Sequence, residues 1–106
     1  MSEIKTFVRK RIGELRIKKG VSENKMSLEL GRNGSYISNL SYQNQCPSME
    51  SLTEICKYFN ITLSQFFDSQ NKNPLLINKI IDECKNLSDE DLTAVYHIVK
   101  RMNSSS

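Results

Sequence analysis

Residues 22–40, SENKMSLELGRNGSYISNL, decide how the rest of the chain is read. They spell two short helices around a tight turn. Ser22 is a good N-cap, because its hydroxyl can accept from a backbone N–H left orphaned at a helix start. Met26, Leu28 and Leu30 supply apolar contacts to the first helix, and Gly31 stops it where glycine tolerates a left-handed backbone. Asn33 can cap a second helix over 34–42, with Tyr36, Ile37 and Leu40 turned inward. Gly34, Ser35, Ser38 and Asn39 then fall on its outer face. A solvated helix normally carries Lys and Glu there. Short, uncharged hydrogen-bonding side chains suit a helix that lies close against something polar.

The chain is 106 residues long, enough for one domain with a modest core and a small appendage. A hydrophobic share of 38% and a charged share of 25% are those of a globular protein. No apolar run approaches the roughly 20 residues of a membrane span, so no membrane partner is expected. The start, MSEIKTFVRKR, lacks the apolar core of a secretory signal, which predicts a cytoplasmic location. Cys46, Cys56 and Cys84 are odd in number and form no CxxC pair, and two of them sit in apolar helical patterns. Reduced thiols are expected. The single histidine, His97, has no cysteine or carboxylate at ligand spacing, so no metal and no cofactor are predicted. The net charge of +3 is unevenly spread: residues 1–40 hold nine Lys/Arg against four Asp/Glu, and residues 41–106 hold six against eight. That bias fits either an anionic partner for the first part of the chain or a merely solvated basic face.

Outward from the central stretch, residues 3–19 predict a helix with Ile4, Val8, Ile12 and Leu15 on one stripe and Phe7 beside it. Gly20 ends it, and Val21 packs inward before the Ser22 cap. After the turn-forming SYQNQCPS, Ser48 caps a helix over 49–59 with Leu52, Ile55, Cys56 and Phe59 inward. Asn60 breaks it. Thr62 with Gln65 is a capping-box pattern, and the short helix behind it should bury Leu63, Phe66 and Phe67. The polar DSQNKN, 68–73, holds the expected linker over 69–73. Pro74 opens a helix over 74–86, and Ser88 with Asp91 opens a last one over 89–102, with 103–106 a disordered tail. The fold class is all-α.

The run from RKRIGELRIKKGVSENKMSLELGRNGSYISNL through PSMESLTEICKYFNITLSQFF resembles the Xre family, the Cro and phage-repressor-type helix-turn-helix regulators. The shared landmarks are the Arg11–Arg16 region, G-V-S before the second helix, the L-G turn, Y-I-S-x-L, P-S and a closing L-x-x-F-F, over roughly residues 5–68. The resemblance implies a five-helix, lambda-repressor-like DNA-binding bundle over 1–68, followed by a C-terminal helical hairpin over 74–102. It places Arg32, Asn33, Gly34, Ser35 and Asn39 at base edges in the major groove of double-stranded DNA. Asn39 is the strongest reader, since its amide can pair with adenine N6 and N7; the alternative is a solvated amide. Phosphate contacts are implied for Arg11, Arg16, Ser22, Lys25, Tyr36, Tyr42 and Asn44, with Tyr36 equally suited to the core.

Three positions depart from the family pattern. Glu23 stands where a glutamine usually reaches a phosphate, Ser41 where a glutamate usually pairs with the arginine at Arg16, and Gln43 where a turn glycine is usual. Such regulators work on paired half-sites, so a homodimer is implied. Leu76, Ile80, Ile81, Leu92, Val95 and Val99 are its expected interface, unless those helices fold back on their own bundle. A chain ending at Asp68 should then stay folded but lose dimerisation. The function implied is a sequence-specific DNA-binding transcriptional regulator, a dimeric repressor. The alternatives are an antitoxin or restriction-controller protein with a partner protein, and a protein-interaction module that has lost DNA binding. No nucleophile–base pairing or phosphate loop points to an enzyme.

Overall fold

The computed structural model describes residues 2–43 and 45–104, except the side chains of Ser2 and Ser41. Among them it forms seven α-helices and no strand: α1 (Ser2–Lys19), α2 (Glu23–Glu29), α3 (Tyr36–Tyr42), α4 (Met49–Phe59), α5 (Leu63–Phe67), α6 (Pro74–Cys84) and α7 (Asp89–Ser104). None of the described helices is long and apolar enough to cross a membrane. The chain divides into two compact units, Met1–Leu75 and Leu76–Ser106.

In the first unit every helix from α1 to α5 gives side chains to one core. Val8, Ile12 and Leu15 of α1 meet Met26 of α2, Ile37 and Leu40 of α3, and the α4–α5 residues Leu52, Ile55, Phe59 and Phe66. Each large apolar side chain removed from water here contributes about 1.5–3 kcal/mol. Helix ends are fixed locally. Gly20 takes φ 78 and donates to the carbonyls of Arg16 and Ile17, closing α1. Ser48 Oγ accepts from Ser51 N to start α4, and Asn60 ends it in the left-handed region. Thr62 and Gln65 complete the reciprocal capping box of α5.

Three apolar residues are more exposed than their periodicity predicts. Ile4 and Leu28 are each 57% exposed, because α1 outruns the core at its start and α2 is too short to bury two faces. Phe67 lies outside the core as well, stacked on Phe7 with ring centroids 5.9 Å apart.

The boundary of this unit also differs from expectation. Residues 69–73 are not a free linker. Arg11, 3% exposed, donates to the carbonyls of Phe66 (2.7 Å), Gln65 (2.7 Å), Asp68 (3.1 Å) and Asn71 (2.9 Å). These bonds fold the segment after α5 back onto α1. Pro74 is buried and Leu75 packs against the core, so the unit continues to Leu75 rather than ending at Asp68.

The second unit holds most of α6 and all of α7. α6 stops at Cys84, two residues short of expectation, where Lys85 and Leu87 turn on the carbonyls of Ile81 and Cys84. Ser88 Oγ accepts from Asp91 N at 3.2 Å and its carbonyl takes Leu92 N, which starts α7. α7 runs on to Ser104, so Asn103 and Ser104 are helical rather than tail. Leu76, Ile77, Ile80, Ile81, Leu92, Ile98, Val99 and Met102 are all exposed, and Val95 is half-buried.

Candidate nucleic-acid interface

α2 and α3 are held together by a buried hydroxyl. Ser27, fully enclosed, donates through Oγ to the carbonyl of Glu23 at 2.7 Å and accepts from the backbone N–H of Ile37 at 3.0 Å. One side chain thus satisfies an orphan donor of α3 and locks its register on α2. Ser22 caps α2 as expected, accepting from Lys25 N at 2.9 Å. Gly31 takes φ 78, and Arg32 N returns to the carbonyl of Ser27.

The start of α3 is displaced from its expected position. Asn33 Oδ1 accepts from both Ser35 N (3.0 Å) and Ser35 Oγ (2.9 Å), which folds Gly34 and Ser35 into a turn. The helix therefore begins at Tyr36 and not at 34. Side chains of this type compete with the helix for backbone donors, and here the side chain wins. Gly34 is half-buried, and a Cβ built on it would overlap Asn24 Nδ2, which donates to the Gly34 carbonyl at 3.3 Å.

Outside, the face is short and uncharged. Ser35 and Asn39 are exposed, with Asn39 Nδ2 leaning toward Ser35 Oγ at 3.4 Å; Ser38 is half-buried and bonds back to the Ser35 carbonyl. Ile37 and Leu40 face the core, and Tyr36 packs partly against it. Ser22 and Lys25 are exposed on α2, and Tyr42, at the end of α3, is 88% exposed.

Arg32 is turned away from this face. Its guanidinium lies 4.5 Å from the centroid of the Tyr36 ring, donates to Ser51 Oγ at 2.9 Å and pairs with Glu54 at 3.5 Å. It ties the turn to α4. Asn33, exposed, spends its side-chain carbonyl on the turn. Arg11 leaves the phosphate set, since its guanidinium is enclosed by four carbonyls. Arg16 has a partner after all: it donates to the Val21 carbonyl at 2.8 Å. With Arg9, Glu23, Ile37 and Leu40 it lines a cleft of about 40 Å³. Asn44 lies outside the described residues.

Two contributors escape the sequence reading. Ser27 follows Met26 on the inward side of α2, and a small hydroxyl at a helix crossing was its signal. Tyr58 of α4 donates to Glu29 Oε1 of α2 at 2.5 Å while Lys19 Nζ lies 4.6 Å over its ring. Burial first, then the Glu29 carboxylate, push the phenol up to about 12. Burial likewise raises the Cys56 thiol, which keeps it an inert core residue. Comparison with family models, with curated proteins and with solved structures returns no match for this chain.

Proposed function

We propose that the chain is a sequence-specific DNA-binding regulator of transcription, of the Xre type, that represses by occupying an operator. In this reading α1–α5 are the five-helix bundle of such regulators, α2 and α3 its helix-turn-helix, and α3 lies in the major groove. The observation that carries it is the outer face of α3. Asn39 stands exposed on a helix whose other side is locked to the core by Ile37, Leu40 and the Ser27 hydroxyl, and Ser35 stands exposed in the turn that leads into it. A groove admits such a face closely, and the Asn39 amide can meet adenine.

Ser22, Lys25 and Tyr42 flank that face and contact phosphates, which makes affinity salt-dependent. One bundle reads only a few base pairs. Two are joined through α6 and α7, by Leu76, Ile80, Ile81, Leu92, Val95 and Val99, on half-sites about 34–36 Å apart. An anisotropy titration against the DNA flanking the chain's own coding sequence tests this. Saturable binding that weakens steeply with salt is expected; flat titrations at low salt would remove the DNA-binding reading. Glu23 favours a second reading, a protein-interaction module or an antitoxin-like protein holding a partner, because a carboxylate at the start of α2 repels phosphate.

A further inference from the structure

Position 34 has no side chain, yet its place on the candidate reading face is not empty. The Asn24 amide fills it. A Cβ on Gly34 would run into Asn24 Nδ2, and that nitrogen donates to the Gly34 carbonyl at 3.3 Å. Gly34 does not need glycine for its backbone, since only Gly20 and Gly31 among the described glycines have positive φ. What glycine provides at 34 is room.

The bond to Gly34 also sets the direction of the amide. One Nδ2 hydrogen is committed to the carbonyl. The second hydrogen and Oδ1 have no protein partner among the described residues, and Asn24 is exposed. A free donor and a free acceptor on one amide are the groups that the major-groove edge of adenine calls for, where N7 accepts and N6 donates. Holding the amide in advance reduces the rotamer entropy lost on binding.

We propose that Asn24 of α2 substitutes for the absent side chain at position 34 and reads one base pair as an adenine-preferring amide. The inference rests on the DNA-binding reading above. It makes α2 a source of specificity, with Asn24 and Asn39 as two amide readers from two helices.

Selection from random duplex DNA by the full chain tests it, run in parallel for the unmodified protein, Asn24→Ala, Gly34→Ala and the double variant. The unmodified protein should enrich a motif with adenine at one position that Asn24→Ala relaxes by about tenfold, other positions being unchanged. Gly34→Ala displaces the amide and should relax the same position, and the double variant should be no worse than either single one. Thermal melting of each variant is recorded alongside, and Asn24→Ala should melt with the parent. An unchanged motif in Asn24→Ala overturns the inference and leaves the DNA-binding reading standing. So does an even loss of affinity over all sequences, which marks a mere tether. A parent protein that enriches nothing overturns both.

Discussion

At the scale of single residues, Arg11 shows how a charge can be wholly structural. Its planar fork reaches four carbonyls, at the end of α5 and in the turn beyond it. Lysine has the charge but a single ammonium on a flexible stem, so it cannot reproduce the fork. Arg11→Lys and Arg11→Ala should both destabilise the first unit by roughly 3 kcal/mol or more, because buried carbonyls are left unpaired. Urea denaturation followed by circular dichroism measures this, and a lysine variant as stable as the parent would refute the structural role. Sequence spacing held part of the answer. Arg11 is four residues from Phe7 and four from Leu15, on the flank of the buried stripe rather than opposite it. Its four acceptors lie 54 to 60 residues away, beyond the reach of any local pattern.

At the scale of elements, legibility follows how local the cause is. The starts of α4 and α5 could be read from Ser48 and from Thr62 with Gln65, because a cap acts within one turn. The start of α3 could not, since Asn33 can cap a helix or close a turn, and its residue type is the same in both. The link from α2 to α4 was equally hidden, for Tyr58 and Glu29 are 29 residues apart. That link makes a prediction in pH. The folded state holds the Tyr58 phenol protonated to about 12, above its ordinary 10.0, through burial first and then the Glu29 carboxylate. It therefore adds stability that is fully present below pH 10 and is lost as pH rises through about 12. In a titration followed at the tyrosinate absorption band, one of the four tyrosines should ionise late, and Tyr58→Phe should abolish that late phase. A late phase that survives the substitution would assign it to another tyrosine.

At the scale of the whole molecule, the two units differ in what they bury. The first encloses Leu15, Met26 and Phe66 completely, whereas α7 has no buried residue and Leu76 and Ile80 are 51% and 52% exposed. Exposed apolar side chains in such number, at helical spacing, are what the proposed dimer contact would cover. Under the proposed function a second copy of the chain would cover them and supply the second helix that a paired half-site requires. Where to cut follows from the packing. A chain ending after Asp68 loses the Asn71 carbonyl that Arg11 holds, the burial of Pro74 and the packing of Leu75, and should melt well below the parent. A chain ending after Leu75 keeps all three and should fold as an independent monomer. Sedimentation equilibrium of the full chain should then give twice the 12.2 kDa chain mass, with the Leu75 truncation at its own single-chain mass and binding operator DNA far more weakly. The full chain sedimenting as a monomer would refute α6 and α7 as the dimer contact, and a Leu75 truncation that still dimerised would move the contact to the first unit.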